Sequence, residues 1–359
     1  MGRTLAAMLV LGLLAAGGWF LFGRGGAKAP ASPAVPAGKP APHTGAPPAR
    51  GLVEAGVAAP TPAAPSSTAP EAAPDAVAAE IRALLQSGKA QDAVARAESA
   101  STATRRSPAC AAAARDAALA LASGTSTGSP ERLTQADAAR RLLGRLAVED
   151  ALPLATLRER LDALNREVLF AGRELPGVSF RSAVKPGDTL DRLMRTEWKG
   201  RVRSGYGVVL WMNNVPSPDR LRVGGLWVPE EPVRLLVRKR EHTLWVLLGE
   251  VPVRFFSVGL GMNGRTPEGT FEIEELMPRP DYWPPGGKRV PFGQKGNPLG
   301  TRWMGFRDTP DAQGFGIHGT DDPDSIGKDL SQGCVRLANG DVEQLFTWAT
   351  VGTLVEIRP

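Results

Sequence analysis

Cysteine, histidine and tyrosine are scarce in this chain of 359 residues, numbering two, three and two. Two cysteines, Cys110 and Cys334, cannot build a disulfide framework. No Cys-x-x-Cys pair and no Cys/His cluster occurs, which argues against a zinc site, and no cofactor is expected. Acid is missing from the first 50 residues, which carry Arg3, Arg24, Lys28, Lys39 and Arg50 but no Asp or Glu. The other 309 hold 38 basic against 37 acidic residues, so almost all of the +6 charge sits at one end. A basic excess beside an apolar run fits a membrane surface and argues against a nucleic-acid partner.

That apolar run, Leu5 to Phe22, is 18 residues without a charge. As a helix it is about 27 Å long, close to the hydrocarbon thickness of a bilayer. The one Ala-x-Ala site, Ala27-Lys28-Ala29, is followed by Pro30, a poor cleavage context, and there is no lipobox cysteine. Residues 1–28 therefore read as an uncleaved transmembrane signal anchor with the bulk of the chain exported. Residues 29–74 contain 27 Ala or Pro among 46, too little material for a core, and read as a disordered tether.

Residues 75–172 read as all-helical. Asp75 is placed to cap Ala76–Ser87, Ser107-Pro108 and Ser129-Pro130 are cap-plus-proline starts, and a last helix covers about Leu154 to Phe170. The spacing Leu84-Leu85-x-x-Gly88-x-x-x-x-Ala93 resembles a tetratricopeptide-like helix pair, and Cys110 reads as a small buried apolar residue. From 178 to 230 the order becomes strand–helix–helix–strand, a small α+β unit. Its opening Val184-Lys-Pro-Gly-Asp-Thr-Leu190, its Asn214 and its closing Leu221-x-Val-Gly-x-Leu-x-Val-Pro229 resemble a LysM domain. The resemblance implies binding of N-acetylglucosamine-containing glycan strands beside Gly187, Asp188, Thr189 and Asn214.

Residues 233–359 read as mainly β. Thr243–Leu248 and Val251–Val258 are strands joined at Gly249-Glu250, Met262-Asn263-Gly264 is a second turn, and Asn339 is placed to cap a helix from Asp341 to Thr350. Residues 277–301, with Tyr282 and Trp283, read as a long loop suited to a lid or substrate contact. His43 lies in the tether and His242 reads as a surface residue. This leaves His318 and Cys334, 16 positions apart, as the pair that could make a thiolate nucleophile. Gly316, Gly319, Gly327 and Gly333 surround them, and such glycines let backbone N–H groups face an oxyanion.

The order His318-Gly-Thr, Gly327, then Ser331-x-Gly-Cys334-x-Arg336 resembles the L,D-transpeptidase (YkuD-type) family. Thr266-Pro-Glu-Gly-Thr-Phe271, Ile326-Gly327, Asn339, Asp341 and Gly352-Thr-Leu-Val-Glu-Ile357 extend the likeness over 233–359. The resemblance implies a curved β-sandwich-like sheet with the cysteine at its mouth. Cys334 is then the nucleophile on diaminopimelate of a tetrapeptide stem, His318 the base, and the Gly319 carbonyl its orienting group. Gly333 and Cys334 supply oxyanion N–H groups, Arg336 holds a carboxylate or braces the loop, and Ser331 bonds within it. Gln332 stands where many relatives carry a second histidine. The implied partners are peptidoglycan stem peptides and, as acyl acceptors, a second stem (giving 3→3 cross-links), an envelope protein or water. A wall-binding structural protein without activity is the non-enzymatic alternative. The expected location is the cell envelope: anchored in the inner membrane, with the catalytic domain in the periplasm.

Overall fold

The computed structural model describes residues 72–124, 129–284 and 287–359. The expected anchor at Leu5–Phe22 and nearly all of the Ala/Pro-rich tether lie outside the described residues. Among the described residues no helix is long and apolar enough to cross a membrane.

Six helices come first: α1 (Pro74–Gln86), α2 (Ala90–Glu98), α3 (Thr102–Arg105), α4 (Pro108–Ala122), α5 (Pro130–Val148) and α6 (Leu154–Leu169). The two cap-plus-proline signals start helices as expected. Ser107 Oγ accepts from Cys110 N–H at 3.3 Å and Ser129 Oγ from Arg132 N–H at 3.1 Å. Asp75 is not a cap. The helix begins two residues earlier than expected, at Pro74, where a missing N–H costs nothing, and Asp75 sits inside the first turn as an acid near the positive helix end.

A small unit follows: β1 (Ser179–Val184), α7 (Leu190–Arg195), α8 (Tyr206–Met212) and β2 (Gly224–Pro229). β1 and β2 pair antiparallel, Ser179 opposite Pro229, and the unit has its own core around Phe180, Leu193, Trp198 and Val228.

The last third is mainly β: β3 (Val233–Arg238), β4 (Thr243–Leu248), β5 (Val251–Ser257), β6 (Leu260–Gly261), β7 (Gly269–Pro278), β8 (Arg302–Phe306), β9 (Gly316–His318), β10 (Asp329–Ser331), β11 (Val335–Arg336) and β12 (Leu354–Arg358). One helix, α9 (Asn339–Trp348), interrupts them. Eight strands form one sheet in the order β11-β9-β8-β7-β12-β3-β4-β5, and β10 pairs with β6 beside it. The β4–β5 hairpin turns at Gly249 with φ +63°, and Asn263 and Gly264 take φ +54° and +73°, both left-handed as tight turns need.

The helical region and this sheet share one apolar core. Gly144 on α5 is the close approach: a Cβ there would lie 3.0 Å from the Val251 backbone of β5. Beside it lies a buried ion cluster. Arg140, with no exposed surface, donates to Asp137 and Glu231 at 2.8 Å each, and Arg141 reaches the same two carboxylates at 2.7 and 2.9 Å. Burial pushes the Glu231 carboxyl up, while Arg140 and Arg141 pull against it. Removing one partner strands a buried cation, so Glu231→Ala is expected to cost about 3–5 kcal/mol in urea denaturation. Glu250→Ala, which frees a solvent-facing partner of Arg145, is expected to cost about 0–1 kcal/mol. Equal losses would show that the cluster does not hold the two parts together.

Candidate active site

Strand register assembles the site. Met304 pairs with Ile317, and Ile317 with Val335, and all three are fully buried on the core face. The opposite face carries the chemistry, because side chains alternate along a strand. One row across this face is Met277–Trp303–His318–Arg336. The next is Glu275–Gly305–Gly316, and one step back along the β9–β11 register brings Cys334 beside Gly316. The Cys334 thiol accordingly lies beside Gly316 and donates to the Gly314 carbonyl at 3.9 Å.

His318 is buried, with its ring stacked on Trp303 at 5.9 Å. Its Nδ1 lies 2.6 Å from the Gly319 carbonyl oxygen. A carbonyl only accepts, so Nδ1 carries the proton and Nε2 keeps its lone pair. Burial, against the Gly319 hydrogen bond, lowers the imidazole to about 4, and the Arg336 charge adds to the lowering. Burial also pushes the Cys334 thiol up. No hydrogen bond joins His318 to Cys334. The resting pair is therefore a neutral thiol and a neutral imidazole on one face, not a preformed ion pair.

The Ser331–Cys334 turn is fixed by its own bonds. Gly333 N–H donates to Ser331 Oγ at 3.0 Å, and Ser331 Oγ–H donates to the Cys334 carbonyl at 2.7 Å. Gly333 has φ +139°, and a Cβ there would sit 2.3 Å from Phe315. Only glycine fits both the backbone and the ring. The expected pair of oxyanion donors is thus reduced. The Gly333 N–H is engaged by Ser331, whereas the Cys334 N–H has no partner among the described residues. Gln332 accepts from Arg265 at 2.6 Å, which ties the turn to the β6–β7 loop. Arg336 has a buried Nε without a partner and no ion pair among the described residues, so its charge is available to a ligand.

Asn339 is not the helix cap that its position suggested; Ala338 precedes the helix and makes no side-chain cap. The Asn339 amide instead accepts from Thr301 N–H and Thr320 N–H at 3.1 and 3.3 Å and donates to the Thr320 carbonyl at 2.9 Å. It holds the strand ends that flank Gly319.

Cys334 opens onto a groove of about 300 Å³ whose walls include Glu275, Met277, Tyr282, Trp283 and Trp303. Tyr282 and Trp283 come from the long loop, and Trp283 is 68% exposed. Asp281 in the same loop accepts from Phe292 N–H and Arg289, and these bonds hold its carboxyl below the usual range. Trp303 and Glu275 gave no sequence signal, because both reach the site only through pairing with distant strands. His242, by contrast, sits outside the groove and pairs with Asp329 at 2.9 Å.

Three of the residues expected to bind glycan, Gly187, Asp188 and Thr189, build a turn and a helix start. Asp188 accepts from Lys185 N–H at 2.8 Å and pairs with Arg192, and Thr189 caps α7 at 3.2 Å. Gly187, at φ +84°, makes the turn. Asn214 lines a separate cleft of about 660 Å³ with Asn213, Pro216 and Arg222, to which those three residues do not contribute.

A thiol, a basic ring held in one tautomer and an unengaged N–H beside the thiol are the parts of a thiol-dependent acyl-transfer site. Residues 232–357 match the YkuD family, the L,D-transpeptidase catalytic domain. YqjB of Bacillus subtilis, which carries the L,D-transpeptidase name, is 38% identical over 136 residues, covering 36% of this chain and 73% of its own. YkuD of Bacillus licheniformis, named likewise, is 30% identical over 181 residues, covering 49% of this chain and 97% of its own. A solved L,D-transpeptidase from Stackebrandtia nassauensis is 23% identical with a TM-score of 0.28, covering 35% of this chain and 55% of that one. The chain thus spans about half the length of that solved protein. This chain belongs to the L,D-transpeptidase family.

Proposed function

We propose that this protein is a peptidoglycan L,D-transpeptidase that forms 3→3 cross-links at diaminopimelate through a Cys334 thioester. The observation that carries this reading is the shared groove face, with Cys334 beside Gly316 and His318 two residues on, its Nε2 left unprotonated by the Nδ1–H bond to Gly319. Nε2 takes the thiol proton as sulfur attacks the diaminopimelate carbonyl carbon. The Cys334 N–H faces the oxyanion. Collapse breaks the C–N bond to D-alanine, and His318 returns the proton to the leaving amine. The amine of a second stem then displaces sulfur from the thioester, which regenerates the thiol. Arg336, without a protein carboxylate, receives a substrate carboxylate.

In the same reading the chain works in the cell envelope, anchored through Leu5–Phe22, with residues 178–230 against glycan strands. The Asn214 cleft is then the sugar contact, since the Asp188 and Thr189 side chains hold their own turn. The test is mass spectrometry of tetrapeptide muropeptides incubated with the protein. The expected products are free D-alanine and 3→3 dimers. Tripeptides without dimers would make water the acceptor, and an unchanged substrate would sink the reading.

A further inference from the structure

We infer that Glu275 is the binding site for a substrate ammonium group in the Cys334 groove and sets the enzyme's preference for a cationic peptide. This rests on the proposed acyl-transfer reading. Strand β7 carries three acids in a short run, Glu272, Glu274 and Glu275. Arg307 pairs with the first at 2.9 Å and lies 3.6 Å from the second. Glu275 has no hydrogen bond and no ion pair among the described residues, and it lines the same cavity as Cys334.

Its position is built by a bulge. Ile273 pairs with Phe306, but Glu275 pairs with Gly305, so one extra residue lies in β7 between them. An uninterrupted ladder would set Glu275 opposite Met304, on the buried core face. The bulge turns it onto the groove face, the re-aiming that such irregularities produce beside functional sites. From there the row runs Glu275–Gly305–Gly316 to Cys334, and its two middle positions have no side chains. A Cβ at Gly305 would lie 2.8 Å from Trp303 Nε1, and one at Gly316 would lie 2.5 Å from the Met304 carbonyl and 2.9 Å from Trp303 Cη2. The floor between carboxylate and thiol is the Trp303 indole, laid over the two glycines.

Three strand spacings separate the Cα atoms of Glu275 and Cys334 by about 14 Å, and both side chains reach inward from there. The gap suits a side chain of lysine or diaminopimelate length that carries a carbonyl at the thiol and an ammonium at the carboxylate. The groove is also polar end to end. Arg336 stands on the face beside His318 at the thiol end, and Glu275 at the far end. The Trp303 indole and Met277, both from the adjoining row, give the methylene chain an apolar surface. The other acid of the groove, Asp281, is already committed to Arg289 and the Phe292 N–H.

The ammonium can belong to the acyl donor's third residue or to the acceptor, and the experiment separates them. Acylation of Cys334 is followed by intact mass in single turnover, with a tetrapeptide bearing a free terminal amine on its third residue and with the same peptide N-acetylated there. Transfer of the preformed acyl-enzyme to a free amine acceptor is timed separately. The wild type is expected to prefer the free amine donor by about tenfold, and Glu275→Gln is expected to lose that preference through slower acylation by the free amine donor. Loss confined to the transfer step assigns the acceptor's ammonium instead. Glu275→Lys is expected to invert the preference. Equal slowing of both donors and of transfer, or no change in any of them, overturns the inference. Wild-type protein that acylates with neither donor overturns the reading beneath it.

Discussion

Cys334→Ala protein is expected to release no D-alanine and form no adduct with a tetrapeptide donor, a fall of at least about 10⁴-fold in acylation rate. In the proposed reading the thioester is the route, because among the described residues no other nucleophilic side chain on the groove walls stands beside an unengaged N–H. The loss should come without unfolding. Cys334 is partly exposed, and its backbone bonds run through Ser331 rather than through sulfur. Cys334→Ser should fall with it, since a hydroxyl is a far weaker acid than a thiol and burial makes the His318 imidazole a weak base. The resting thiol makes a second, sharper statement. Burial pushes it up, and no hydrogen bond ties it to His318. Iodoacetamide labelling of the free enzyme should therefore climb steadily through pH 9, with Cys334→Ala protein as the blank. A labelling plateau already reached by pH 6 would mean a thiolate–imidazolium pair, and the neutral resting site described above would be wrong.

Local chemistry was legible in the sequence and long-range pairing was not. Ser107-Pro108 and Ser129-Pro130 named helix starts because a cap and a proline act within one turn. Gly249-Glu250 named a hairpin for the same reason. The site's thiol and imidazole were legible by scarcity, since few residues in the chain could do that work. Asn339 was misread because an Asn ahead of an apolar run satisfies the cap rule, yet its amide is used by Thr301 and Thr320, 38 and 19 positions away. Gly333 was read as an oxyanion donor because its neighbours fit a family pattern. Its N–H is in fact taken by a hydroxyl two residues back. Asp188 looked like a ligand residue and is the clasp of its own turn. Glu275 could not be found at all, because a one-residue bulge decides its face and nothing local marks that bulge. The helical region's shared core with the sheet is hidden for a similar reason: Gly144 and Val251 lie more than a hundred positions apart, and only the fold brings them together.

His318 ties the site's reactivity to the stability of the fold, and the two should respond to acid together. Its pKa is about 4 in the folded chain, against 6.5 as a reference, with burial as the main cause. A group whose folded pKa is depressed favours the native state above its unfolded pKa. That advantage drains away as pH falls from about 6.5, and it is gone once pH passes below about 4. The gap corresponds to about 3 kcal/mol of stability that wild type loses over this window and a His318→Gln protein does not. Paired urea titrations at pH 7 and pH 4.5 read the difference directly; parallel losses in the two proteins would show that the ring is not held neutral. The same neutrality keeps Nε2 a competent acceptor well below pH 6. The acid limb of kcat/KM should therefore lie near pH 4 to 5 rather than near 6.5. His318→Gln should lower the plateau by about 10²–10⁴-fold, since the glutamine amide can meet the Gly319 carbonyl but cannot carry the thiol proton to the leaving amine.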